Sequence, residues 1–124
     1  AKERKTFGRT LAEHQAIQFM LADCAIGIFT MKYTTLRVAD LVYEYPTTGR
    51  LPIKEISIAK AYAVETCQAI CDKAIQIHGA MGLSSEMGLE EAFRIARTLR
   101  IPDGTGEIMR RTIAGQLLRG DVVF

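Results

Sequence analysis

Two glycine-flanked stretches hold the residues whose types and spacing could do chemistry. In the first, Asp103 is followed by Gly104-Thr105-Gly106. Thr105 has the type and place of a helix N-cap. A helix opening there leaves free backbone N–H groups at its positive dipole end, which suits an anionic or polar ligand. A carboxylate just before such a turn can be a general base, a cap or a plain loop acid. In the second, Gly79-Ala80-Met81-Gly82 follows a long helical pattern, and small residues let another group approach the backbone closely. Arg94, Arg97, Arg100, Arg110 and Arg111 form a basic series that reads as a solvated face. His14 and His78 stand far apart, neither in an i, i+4 metal pair, so each reads as structural or superficial. Cys67 and Cys71, one helical turn apart, could with the histidines suggest zinc. The Cys-x-x-Cys loop spacing is missing, so core packing is expected and no metal site.

The elements that must carry these residues are helical. Residues 1–8 are polar and end in Phe7-Gly8, a turn. Ile17, Leu21, Cys24, Ile28, Met31, Thr35, Val38 and Val42 recur at steps of three or four, one face of an α-helix. That helix is expected to end near Tyr45-Pro46, because the residue before proline is pushed out of the helical region. A second helix is expected from Pro52, with Ile56, Ala59, Ala63, Cys67, Ile70, Ala74 and Ile77 inward, fading at Gly79. Two helices of this length joined by a short loop should pack antiparallel. A short helix follows over residues 89–99, with Phe93, Ala96 and Ile95 inward. The last runs over residues 106–118, after the break at Ile101-Pro102-Asp103-Gly104. No internal repeat, low-complexity tract or sustained heptad is present.

Composition narrows the class. The chain has 124 residues, 48% hydrophobic and 24% charged, with no Trp and three Pro. These values suit one packed all-α domain spanning residues 1–124. The net charge of +2 is spread along the chain and leaves no nucleic-acid or membrane footprint. No apolar run approaches the roughly 18 residues of a membrane span. The opening Ala1-Lys2-Glu3-Arg4 has no initiator Met and no signal peptide, and suggests a piece of a longer protein. The odd number of cysteines, all inside helical patterns, suggests a reduced intracellular protein.

Five motifs in order resemble the C-terminal helical domain of the acyl-CoA dehydrogenases. They are Glu3-Arg4-Lys5-Thr6-Phe7-Gly8 with Leu11 and His14-Gln15; Phe19-Met20-Leu21-Ala22; Ser57-Ile58-Ala59-Lys60-Ala61; Gln76-Ile77-His78-Gly79-Ala80-Met81-Gly82; and Arg94-Ile95-Ala96-Arg97 with Arg100-Ile101-Pro102-Asp103-Gly104-Thr105-Gly106-Glu107-Ile108. The resemblance covers nearly the whole chain and implies a four-helix-bundle-like fold. The family's upstream helical and β-domains are absent from the 124 residues.

The resemblance also implies an activity. These enzymes use FAD to oxidise an acyl-CoA thioester to the trans-2-enoyl-CoA. A carboxylate removes the α-proton while the β-hydrogen leaves as hydride to flavin N5. Electrons usually pass to an electron-transfer flavoprotein. Most members are tetramers built as dimers of dimers, with the FAD site crossing a subunit interface, so a homo-oligomer is expected. A bacterial cytoplasm or a mitochondrial matrix is the expected location. Residue by residue, Arg4 matches the arginine on the FAD pyrophosphate, where a guanidinium fork suits a diphosphate. Thr6 would add a hydroxyl contact, and Gln15 would reach the neighbouring subunit's FAD. Gln76, Gly79 and Ala80 match the stretch against the adenosine part. Gly104, Thr105 and Glu107 match the turn beside the cofactor, and Asp103 matches the base. The commonest family motif has Tyr-Glu-Gly where this chain has Pro102-Asp103-Gly104, and His78 and Ala80 also depart from the commonest residues. The flanking stretches look most like an Asp-bearing branch of the dehydrogenases. A nitroalkane-oxidase-like flavoenzyme, also with Asp as base, is the alternative enzyme. A non-enzymatic helical oligomerisation module with a vestigial FAD surface is the alternative class.

Overall fold

A computed structural model describes all residues, Ala1–Phe124. The polar start folds into a small hairpin, where the sequence alone suggests only a turn. Strands β1 (Lys5–Thr6) and β2 (Arg9–Thr10) pair antiparallel, with Lys5 opposite Thr10 and Thr6 opposite Arg9. The two residues between them, Phe7 and Gly8, both have positive φ, 51° and 80°. That is the geometry whose twist suits a two-residue hairpin. A 3-10 turn, Leu11–Glu13, follows. Its Glu13 carboxylate accepts from the Thr10 N–H at 2.6 Å and the Thr10 hydroxyl at 2.7 Å.

Helix α1 spans Gln15–Thr48 and passes through Pro46 instead of ending before it. Pro46 has no N–H to give the Val42 carbonyl, and the helix runs only two residues beyond it. The helix stops at Gly49, whose φ of 68° closes a left-handed cap with its N–H on the Tyr45 carbonyl. Helix α2 spans Ile53–His78 after Pro52, as expected to within one residue. A 3-10 segment, Gly79–Leu83, and a shorter turn, Ser85–Met87, lead to α3 (Leu89–Thr98) and α4 (Gly106–Leu118).

α2 is the hub, with α1, α3 and α4 all packed on it. α1 runs antiparallel to α2: Asp23 pairs with Lys73 at 2.7 Å near one end, and Val38 and Leu41 lie beside Ile58 near the other. The face α1 presents differs from the expected one. Ile17, Met20, Cys24, Gly27, Met31, Thr34, Val38 and Leu41 are the covered positions, in alternating steps of three and four. Leu21, Ile28 and Val42 are exposed instead. Gly27 explains the rotation. It is buried, and a Cβ there would come within 2.9 Å of the Thr66 methyl, so the two backbones cross closest at a residue with no side chain. The glycine, threonine and cysteine in this stripe hide its heptad-like step from a hydrophobicity count. In α3, Ala96 is buried as expected, but Ile95 is exposed.

The chain end straps the start of α2. Lys54 is wholly buried, its ammonium bonded to the Asp121 carboxylate at 3.1 Å and the Asp121 carbonyl at 2.9 Å, and 4.2 Å from the centre of the Phe124 ring. No helix is long and apolar enough to cross a membrane.

Candidate functional site

Four of the expected contact residues gather with Gly79 at one end of the bundle. Arg4 and Thr6 from the hairpin segment, and Gln76, Gly79 and Ala80 from the end of α2, line one concavity of about 890 Å3 with Lys2. The hairpin is placed there by the bond from the Leu11 N–H to the Arg4 carbonyl, 2.9 Å, and by His14. His14 Nε2 lies 3.2 Å from both the hydroxyl and the carbonyl of Thr6, so its role is to dock the hairpin on the start of α1. Arg4 and Gln76 are exposed and carry no side-chain hydrogen bond within the chain. The two glycines of Gly79–Gly82 serve different ends. Gly79 stops α2 at φ 61°, ψ −142°, and the space beside it is open to a visitor. Gly82 is pressed on α2 itself, where a Cβ would meet the Ile75 carbonyl at 2.7 Å. His78 donates from Nδ1 to the Ala74 carbonyl at 2.8 Å, a structural role. Gln15, at the first position of α1, is exposed and outside this lining.

Asp103 sits elsewhere, in the turn before α4. Its φ is 55°, the left-handed region, and Gly104 follows at φ 100°. That φ is what calls for glycine at 104; a Cβ there would meet only the movable end of the Met109 side chain, at 2.5 Å. The Asp103 carboxylate is exposed and makes no hydrogen bond or ion pair within the chain. Thr105 caps α4, its hydroxyl accepting from the Ile108 N–H at 3.4 Å. A hydrogen bond from Thr105, and one from its own backbone N–H, hold the Glu107 carboxyl below the usual range. Thr105 and Glu107 thus shape the helix start.

Two side chains of α2 tie this turn down, and sequence reasoning missed both. Lys60 donates to the carbonyls of Pro102 and of Gly104, the latter at 2.8 Å. Glu65 accepts both guanidinium nitrogens of Arg110 at 2.8 Å, and Arg100 donates to Gln68 at 2.9 Å. The Arg110 bond is the main reason that the Glu65 carboxyl lies below the ordinary glutamate value. Arg100 and Arg110 therefore tie their segments to α2, although the Arg110 side chain stays 58% exposed. The available signal was Lys60 itself, a long cation between Ala59 and Ala61 in a small-residue stretch. The three cysteines are free and half-buried, and burial pushes the Cys71 thiol up. No three His, Cys, Asp or Glu side chains converge as a metal site would require.

The two groups lie far apart within one chain. Lys60, under the Asp103 turn, and Gln76, at the concavity, are sixteen residues apart on one helix, roughly 24 Å along its axis.

Residues 1–118 match the sequence profile of the acyl-CoA dehydrogenase C-terminal domain. The chain belongs to this family. Acyl-CoA dehydrogenases recur among its relatives. Two relatives are the caffeyl-CoA reductase-Etf complex subunit CarC of Acetobacterium woodii, 40% identical, and the human mitochondrial short-chain specific acyl-CoA dehydrogenase, 43% identical. Each alignment covers 96% of this chain, but only 30% and 28% of the respective relative. The crystal structure of an acyl-CoA dehydrogenase from Geobacillus kaustophilus superposes with a TM-score of 0.79 at 32% identity. That match covers 94% of this chain and 30% of the other. The chain is thus less than a third as long as the dehydrogenases it matches.

The acyl-CoA dehydrogenase cofactor suits the concavity. Lys2 and Arg4 bring two cations and Glu3 one carboxylate to the lining, none in an ion pair, which leaves a net positive charge for a diphosphate. The open backbone at Gly79 and the small Ala80 leave room for a flat group, and Gln76 offers both amide donor and acceptor.

Proposed function

We propose that this domain is the C-terminal part of an FAD-dependent acyl-CoA dehydrogenase, with Asp103 as the base that removes the substrate α-proton. The observation that carries it is the state of Asp103. It is held in a left-handed conformation that an L residue rarely adopts, and its carboxylate serves no bond inside the fold. The alternative role, capping α4, is already filled by Thr105. A carboxylate kept free at a rigid turn is available to take a proton from a bound molecule.

Arg4 and Lys2 would hold the FAD diphosphate, and Thr6, Gln76, Gly79 and Ala80 the adenosine side. Gln15 would extend that contact surface. When bound, FAD supplies the acceptor for the hydride that leaves the substrate β-carbon. Asp103 accepts the α-proton on a carboxylate oxygen, so the pair of losses yields the trans-2-enoyl-CoA. Gly104, Thr105 and Glu107, in the turn and helix start after the base, would lie beside the cofactor. The separation of the concavity from the Asp103 turn supports an FAD site shared between two copies, each giving one group of residues. A homodimer or a tetramer is accordingly part of the proposal. An electron-transfer flavoprotein is the proposed electron acceptor, and the bacterial cytoplasm or mitochondrial matrix the proposed location.

The test is flavin reduction on rapid mixing with acyl-CoA, in the FAD-loaded protein that carries this domain. Asp103→Asn keeps the shape of the side chain but cannot take the proton. Reduction is expected to fall toward the upper end of the roughly 10²–10⁴-fold that a positioned base contributes, with flavin retained. Reduction within threefold of the unaltered protein would remove Asp103 from the mechanism. A protein that binds no flavin at all would favour the helical oligomerisation module.

A further inference from the structure

We infer that Lys60 is the positioning residue for the Asp103 carboxylate, acting by clamping the carbonyls of the two residues on either side of it. This rests on the assignment of Asp103 as the base. The Lys60 ammonium donates to the carbonyl of Pro102 and to that of Gly104, the residues immediately before and after Asp103. The Pro102 carbonyl belongs to the peptide that enters Asp103 and the Gly104 carbonyl to the peptide that leaves Gly104, so holding both pins the turn on either side of the Asp103 Cα and limits the directions its Cα–Cβ bond can take. A lysine suits this role because an ammonium has three donors and no acceptor, so it can hold two carbonyls at once.

The clamp has something to hold against. Asp103 and Gly104 have successive positive φ values of 55° and 100°, and of the two only Gly104 adopts that region without a Cβ penalty. The far side of the turn is fixed by α4, whose Gly106 lies so near Glu65 that a Cβ would be 3.3 Å from its carboxylate. Glu65 in turn grips Arg110. Lys60 and Glu65, five residues apart in the middle of α2, thus hold the turn from a helix that is itself packed on three sides. A site on such support keeps its geometry better than one on a free loop. Displacement of a reacting group by about 1 Å can cost on the order of 10²-fold in rate.

The experiment compares Lys60→Met, Lys60→Arg and Asp103→Asn in the FAD-loaded protein that carries this domain. Butanoyl-CoA and octanoyl-CoA serve as the probes. Three quantities are read: the limiting rate of flavin reduction, the acyl-CoA concentration for half that rate, and amide hydrogen exchange over residues 101–107. Lys60→Met is expected to slow limiting reduction about 10- to 100-fold. The half-saturating concentration should stay within threefold and flavin content should be unchanged. Exchange should quicken in residues 101–107 alone, while α2 and α4 stay protected. Lys60→Arg should recover part of the rate. Reduction within threefold in Lys60→Met, with Asp103→Asn inactive, would overturn the role of Lys60 and leave the base assignment standing. Loss of protection throughout the domain with loss of flavin would also overturn it, making Lys60 a residue of the fold alone. Normal reduction in Asp103→Asn would overturn the base assignment itself.

Discussion

Single residues divide here into those bound up in the fold and those left free. Thr105 caps α4, Gly82 touches α2, and His14 pins the hairpin, so none of the three is spare. Arg4, Gln76 and Asp103 have exposed polar groups without a partner in the chain. A side chain that satisfies nothing internal is the one a ligand can engage. For Arg4 the consequence is measurable in the FAD-loaded protein. Arg4→Ala should raise the dissociation constant for FAD roughly ten- to hundredfold, the effect of losing about 1.5–3 kcal/mol of charge-assisted contact. Flavin reduction in protein saturated with FAD should change far less. Equilibrium titration with FAD checks this, and unchanged affinity would make Arg4 a surface residue.

At the scale of elements, α2 carries the arrangement, and the α2–α4 contact has a pH signature. Arg110 holds the Glu65 carboxyl below its ordinary value, so the folded state binds that proton less readily than the unfolded one. Stability from Glu65 is then complete above the ordinary glutamate value of about 4.3 and is lost as pH falls through the lower folded value. Urea unfolding of the domain at a series of pH values should show stability dropping in that acid range. Glu65→Gln should be less stable than the unaltered chain at neutral pH and should flatten the acid drop. An identical acid profile in the variant would mean that other carboxylates carry it. The same element explains the missed orientation of α1. Gly27 lets Thr66 and Ile70 come close, and that contact turns α1 so that Met20 and Leu41 face inward and Leu21 and Val42 do not.

For the whole molecule, exposed surface is the main fact. A compact monomer of 13.8 kDa exposes roughly 6,600 Å2, whereas this one exposes 8737 Å2. Only nine residues are buried. Much of the excess lies on the outer face of α1, where Phe19, Ile26, Phe29, Tyr33, Leu36 and Tyr43 are between 49% and 87% exposed. They recur at steps of three, four or seven, so they form one stripe opposite the α2 contact. A helix apolar on two opposite faces is normally covered on both. The isolated chain should therefore self-associate, and Phe29→Asp should weaken that association. Analytical ultracentrifugation checks it, and a clean monomer at high concentration would refute it. The isolated chain should also bind FAD poorly, since it holds only part of the proposed site.

The sequence by itself determined the helices, their order and the identity of the family. Helical periodicity, the Thr105 cap and the ordered motifs are local, and local patterns survive in a string of letters. It also picked out Arg4, Gln76, Gly79 and Asp103, because residue type and motif suffice to name them. It did not determine which face α1 turns inward, since that follows from how closely Gly27 lets another helix approach. Nor did it place the helix end beyond Pro46, at the left-handed cap of Gly49. Only the tertiary structure decided that Lys60, forty-three positions before Asp103, holds its turn. Such a contact depends on two distant segments meeting across the bundle, and no spacing along the chain encodes that distance.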